Sequence, residues 1–331
     1  MAHCYADIPL EASPYGERLY SAGRRLVAER GVRLASIVWD ADEVLWDWVM
    51  DARHMVRDLA RTLDFFDLSH REYYLVKPGV FELIWGMHHE SLERGYDPYM
   101  RVWTNGYPWR LWRIASEIPG FCRLLGPPAH IETDDHGGFT SHPRMFYRTD
   151  YVRVVRQLIE EEGGTDAIEG CESHVRALID AQLSRDPFDS SFKLPEFAQL
   201  VGKAGFEEAR ILIDDTSQNV RRFVASGRHG IHVACDTPRL VFGTVPNTVW
   251  GEPRRVLEGL ANSVATEIAS ALDEVWGREH PTRATVASKA SVDDYRALRF
   301  EIDVPDNKLR AEWLDPIRRL KETWRERAAV T

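Results

Sequence analysis

The segment IVWDADEVLW, residues 37–46, constrains this chain more than any other. A short apolar run, Ile37, Val38 and Trp39, stops abruptly at Asp40, and a second carboxylate follows at Asp42. The two-residue spacing puts both acids on one side of an extended chain. A strand buried in a sheet cannot hold two anions on one face without a cation. The acids are therefore expected to project from the carboxyl end of a strand, where open α/β sheets place their ligands. That arrangement suits metal binding and nucleophilic chemistry.

Two later segments repeat the pattern of an apolar run closing on small polar or acidic groups. RVWTNG ends its run at Thr104 and Asn105, and ILIDDTSQN ends at Asp214 and Asp215, with Asn219 four residues later. A phosphate-binding enzyme needs a cation between these two, and only two lysines lie there, Lys193 and Lys203. Lysine is scarce throughout, with six residues against thirty-six arginines. Lys193 sits in the loop SSFKLPEF, whereas Lys203 is expected on the surface of the following helix.

Asp-x-Asp-x-Val-Leu, Thr-Asn-Gly, a Lys-x-Pro loop and Asp-Asp-x-x-x-Asn, in this order, resemble the haloacid dehalogenase superfamily over about residues 34–235. The resemblance implies a Rossmann-like core and, because the second aspartate is present, a phosphatase rather than a dehalogenase. It implies that Asp40 is the nucleophile and a Mg²⁺ ligand, and that Asp42 is the acid/base and binds the metal through its backbone carbonyl. Asp214 and Asp215 complete the metal site. Thr104, Asn105 and Lys193 hold the phosphate, and Asn219 orients the acidic loop. Glu43 departs from the pattern, since many members have glycine there. A phosphotransferase or mutase using the same aspartyl-phosphate, or a catalytically silent binding protein on this scaffold, are the competing readings.

The order of apolar periodicities predicts an α/β doubly wound parallel sheet. A helix is expected over 17–32 with a stop at Gly31, then the strand before Asp40, mostly helix over 46–76, and a helix opened by Pro78 and Gly79. Strands are expected at 100–103, near His130–Thr133 and at 210–213, with a helix from Gln218 to Ser226 and GIHVAC as the last core strand. The catalytic core thus comprises 17–133 and 190–243. Residues 134–189 read as a helical cap-like insertion, with helices about 149–162 and 172–184. Residues 244–331 read as a helical C-terminal extension that makes a homodimer plausible.

The remaining features exclude more than they assign. A net charge of −10 disfavours nucleic acid, which needs a basic footprint. No apolar run reaches about 18 residues, and the N-terminal segment does not resemble a secretory signal, so a cytoplasmic location is expected. Four widely spaced cysteines, Cys4, Cys122, Cys171 and Cys235, are expected to be free buried thiols. Trp46, Trp48, Tyr107, Trp109 and Trp112 either wall an aromatic leaving group or pack insertion against core, the second being favoured. His136 and His142, in DDHGGFTSH, fit no zinc spacing and are expected in a cap loop.

Overall fold

A computed structural model describes residues 16–50, 71–77, 79–104, 111, 118, 120–126, 132–133, 139–147, 150, 193, 198, 203, 205–235, 264–288 and 302–303. Helix α1 (Gly16–Arg30) leads to strand β1 (Ile37–Trp39), followed by β2 (Trp46–Met50), β3 (Arg71–Val76), α2 (Val80–Glu93) and β4 (Arg101–Trp103). Then come α3 (Phe121–Leu125), β5 (Glu132–Thr133), β6 (Phe139–Ser141), β7 (Met145–Phe146) and β8 (Ile211–Asp214). The chain continues with α4 (Ser217–Ala225), β9 (His229–Cys235), α5 (Val264–Trp276), β10 (Arg283–Ser288) and β11 (Ile302–Asp303).

Six strands form one all-parallel sheet in the order β10-β9-β8-β1-β4-β7. From β1 the chain moves outward to β4 and β7, then returns to the other side of β1 and moves outward through β8, β9 and β10. The reversal lies between β1 and β8, so the crevice at their carboxyl ends is the switch point where such sheets bind ligands. Ile37, Val38, Trp39 and Ile211, Leu212, Ile213 are all completely buried, as strands covered on both faces must be.

Helices α1, α2 and α5 pack together in one layer, and α4 packs on β8 and β9. The α1–α2 contact is backbone-close because both helices place glycine at the crossing. A Cβ on Gly23 would lie 2.1 Å from the Leu83 carbonyl oxygen, and one on Gly86 would lie 2.0 Å from that of Tyr20. Arg24 ties the same pair of helices together through Glu90, 2.7 Å away, and through Glu93.

Several expectations are corrected. The described ends of the segment 46–76 are strands and not helix: β2 and β3 are antiparallel partners, with Trp46 opposite Val76 and Met50 opposite Glu72, while 51–70 lie outside the described residues. WDWVM and REYYLV are rich in aromatic and β-branched residues, and that strand preference outweighed the helical reading. Glu132–Thr133 is a strand, but it pairs with β6 in a separate two-stranded sheet. The strand next to β4 is β7, which lies inside the segment expected to be a helical insertion. GIHVAC is not the last core strand either, because β10 pairs with it in parallel over Arg283–Ser288, inside the expected helical extension. Within the expected helical extension Val264–Trp276 is a helix, while the helices expected at 149–162 and 172–184 lie, apart from Asp150, outside the described residues.

Cys122 is disulfide-bonded rather than a free thiol. Among the described residues no helix is long and apolar enough to cross a membrane.

Candidate active site

Asp40 is placed by the sheet itself. Its backbone N–H donates to the Ile213 carbonyl at 2.9 Å, so β1 and β8 release their acidic residues side by side at the switch point. One carboxylate oxygen from each of Asp40, Asp214 and Asp215 lies within 4.8 Å of the others. Two oxygens bound to one octahedral Mg²⁺ are separated by about 3 Å if adjacent and about 4 Å if opposite, from metal–oxygen distances of 2.0–2.1 Å. The cluster therefore fits a single hard cation with little adjustment.

Lys193 enters this cluster from the loop before β8. Its ammonium lies 2.6 Å from Asp40 Oδ1 and 2.7 Å from Asp214 Oδ2, with the lysine side chain almost wholly buried. Burial alone would lower its pKa, but Asp214 and Asp40 outweigh burial and raise it. Lys193 is thus a permanent cation at neutral pH.

One buried cation faces three carboxylates, which leaves an excess of negative charge. Asp40 responds with a pKa well above the carboxylate range. Burial is the main cause, opposed by Lys193 and reinforced by Asp214 and Asp215. Asp215 is pushed up to about 6 by burial and by Asp214, with Lys193 and a hydrogen bond to Asp40 acting against the shift.

The two acids of the second pair are not equivalent. Asp214 is completely buried and accepts from Thr216 N at 2.7 Å, from Asn219 Nδ2 at 3.3 Å and from Lys193. Asn219 makes this contact from the first turn of α4. Asp214 pairs with the lysine, while the half-buried Asp215 is the more open of the two acids.

Asp42 lies outside the carboxylate cluster, and its Oδ1 accepts from the Trp46 indole Nε1–H at 2.9 Å. Glu43 between them has φ 63°, the only described non-glycine residue at positive φ. The departure from glycine at this position thus has a physical cost of roughly 1–2 kcal/mol for left-handed backbone. Glu43→Gly is expected to raise stability by up to about 1 kcal/mol, the relieved strain exceeding the added chain entropy of glycine. Urea midpoints of the two proteins measure it, and a destabilised glycine variant refutes the strain argument.

Thr104 is buried directly after β4, its N–H donating to the Phe146 carbonyl at 2.9 Å, so it stands at the carboxyl edge of the same sheet. Asn105, Tyr107, Trp109, Trp112 and His136 lie outside the described residues. Trp46 is completely buried, 6.1 Å from the Phe121 ring centre, which is a packing position and not a leaving-group wall.

Lys203 is corrected from the surface to the interior. Its Nζ lies 3.1 Å from the fully buried Asp150 and donates to the His142 carbonyl at 2.7 Å. This pair fastens the segment before β8 to the one around β7. His142 is buried beside it, and its Nδ1 accepts from the Arg144 N–H at 3.1 Å. Burial, Lys203 and Arg144 push its pKa down to about 3, so this imidazole stays neutral.

No protein-family model matches the chain, and no curated protein or solved structure matches it significantly. The chemistry of the side chains alone carries the functional reading.

His232, which no motif singles out, also belongs to this neighbourhood. Its Nε2 is 2.9 Å from the Asp215 carbonyl oxygen, and Arg283 Nη2 is 3.3 Å from its Nδ1 and 3.1 Å from Ser217 Oγ. Arginine can only donate, so Nδ1 accepts and Nε2 carries the proton. His232 thereby holds the Asp215 backbone, and β10 reaches the site through Arg283. Only the parallel register, Asp214 beside His232 and His232 beside Thr285, brings these residues together.

Proposed function

We propose that the chain is a haloacid dehalogenase-type, Mg²⁺-dependent phosphatase that hydrolyses a small phosphate monoester through an aspartyl-phosphate on Asp40. The observation that supports it best is the convergence of Asp40, Asp214 and Asp215 on the buried Lys193 at the switch point of a parallel sheet. An anionic nucleophile and an anionic ester repel each other, so a phosphoryl-transfer site needs cations fixed on both. Lys193 supplies one charge, and the three carboxylates are the hard oxygen donors that Mg²⁺ prefers. Bound there, Mg²⁺ would neutralise the excess negative charge and polarise the phosphoryl oxygens.

The chain's own groups divide the chemistry. A carboxylate oxygen of Asp40 attacks phosphorus, the ester P–O bond breaks, and protonated Asp42 gives its proton to the departing alkoxide. Asp42, now a carboxylate, takes a proton from water as that water attacks the aspartyl-phosphate. The Asp40–phosphorus bond breaks, inorganic phosphate leaves and both aspartates return to their starting states. Lys193 stays charged throughout and offsets charge on the transferring group. Thr104 stands where it can hold a phosphate oxygen.

An aryl phosphate is expected to be hydrolysed with Mg²⁺ and not with EDTA. Undiminished turnover in EDTA rules the proposal out. The same assay reads the acidic cluster. Ligation needs Asp215 ionised, so the apparent Mg²⁺ affinity is expected to be highest above pH 6 and to fall by about tenfold per pH unit below it. In metal-free protein a raised carboxylate pKa penalises the fold above that pKa and not below the unfolded value near 4. Mg²⁺ should therefore raise Tm more at pH 7.5 than at pH 5. A pH-independent Mg²⁺ shift contradicts this assignment.

A further inference from the structure

We propose that Trp46 is the positioning residue for Asp42, its indole N–H fixing the carboxyl group that exchanges protons with the leaving group and the hydrolytic water. The inference rests on the phosphatase reading above. An acid/base must stay within hydrogen-bond reach of the oxygen it serves, yet Asp42 stands in a loop and not on a rigid element. The loop solves this locally. Ala41 O accepts from Leu45 N at 2.9 Å and from Trp46 N at 3.3 Å, and Glu43 N donates to Trp46 O at 2.6 Å. Residues 41–46 thus close into one turn, bringing the side chains of Asp42 and Trp46 together.

The anchor is rigid because Trp46 is completely buried, its ring 6.1 Å from Phe121, which is itself 5.8 Å from Phe81. Indole Nε1 can only donate, and it stands 2.9 Å from Asp42 Oδ1. Oδ1 therefore remains an acceptor whether the group is a carboxylate or an acid, and the travelling proton sits on Oδ2. A neutral donor sets the direction of the Asp42 carboxyl without adding a further charge beside the carboxylate cluster.

The test compares wild type, Trp46→Phe, Asp42→Asn and the double variant at saturating Mg²⁺. The substrates are an aryl phosphate, with a good leaving group, and an alkyl phosphate, with a poor one. Phenylalanine keeps an aromatic ring in the site and removes the donor together with part of the ring volume, a loss of packing that would slow both esters alike. Trp46→Phe is expected to lower kcat about tenfold on the alkyl ester and less than about threefold on the aryl ester, with KM and the Mg²⁺-induced rise in Tm unchanged. Asp42→Asn alone should lose roughly 10²–10⁴-fold on the alkyl ester, and Trp46→Phe added to it should cost nothing further. Equal losses on both esters, or losses that multiply in the double variant, overturn the inference and leave Trp46 a packing residue. A wild type inactive on both esters removes the phosphatase reading itself, and the inference with it. Should Trp46→Phe not fold, the indole ¹H–¹⁵N signal of Trp46 in Asp42→Ala decides: loss of its hydrogen-bonded downfield shift supports the pairing, and an unchanged shift overturns it.

Discussion

Asp40→Asn is expected to reduce turnover to background for every phosphate ester, a loss of at least about 10⁴-fold, while making the metal-free protein more stable. The two effects have one origin. In the proposed mechanism Asp40 is the nucleophile, and asparagine cannot form the acyl phosphate. Asp40 is also a buried carboxylate facing Asp214 and Asp215, which holds its pKa high and makes its ionised form a cost to the fold. A carboxyl group with a raised pKa destabilises above that pKa and contributes nothing below its unfolded value. The stability gain in Asp40→Asn should therefore be present at pH 7.5, small at pH 4, and smaller again when Mg²⁺ neutralises the wild-type site. Steady-state assays and urea unfolding at the two pH values measure both halves. Wild-type turnover in the variant eliminates Asp40 as nucleophile. A loss of activity accompanied by lost stability would instead point to misfolding.

The positions where strands end were legible in the sequence because a buried parallel strand announces itself as an uninterrupted apolar run. Ile37–Trp39, Arg101–Trp103 and Ile211–Asp214 each stop at the expected polar residue. The α2 helix was legible for a related reason: Gly79 and Gly95, at φ 78° and 69°, bracket it where the sequence put its limits. What escaped were edge strands and partnerships. The two-residue strand Met145–Phe146 is too short to carry a period, and only its pairing with Val102 and Trp103 makes it a strand. Arg283–Ser288 became core because β9 presented an open edge, a property of the assembled sheet and not of RATVAS.

The same division runs through the site. Asp40, Lys193, Asp214, Asp215 and Asn219 converge as their residue types implied. The functional identities resting on that convergence stay with the proposal. Lys203 is expected on a helix surface from the sequence, but a lysine's burial depends on whether an anion awaits it. Asp150 and the His142 carbonyl, both remote in sequence, await Lys203. His232 acts through one backbone carbonyl, and such a contact leaves no mark on composition or spacing.

The second large effect is expected at Lys193. Lys193→Met keeps the length and apolar stem of the side chain and deletes the charge between Asp40 and Asp214. The rate should fall on the order of 10³-fold, as when a fixed cation is removed from a phosphoryl-transfer site. Stability should fall as well, because removing one partner of a buried ion pair leaves the other uncompensated, at a cost of roughly 3–5 kcal/mol. That cost is conditional on pH. Lys193 has a pKa raised above its unfolded value, so its contribution is constant below about pH 10 and cannot itself create a dependence between pH 5 and 8. The carboxylates do. Without the ammonium, which opposes the upward shift at Asp40, that carboxylate takes up a proton more readily, so the variant's deficit should be large at pH 8 and shrink towards pH 5. Mg²⁺ should recover part of the stability at pH 8, by replacing one missing charge with two, but little of the rate, because the metal cannot stand on the side of the transferring group that Lys193 occupies. Urea unfolding of wild type and variant at both pH values, with and without Mg²⁺, separates these contributions. A deficit independent of pH and of Mg²⁺ would mean that Lys193 stabilises by packing its stem and not by balancing the acids. Retained turnover would remove it from the phosphate site.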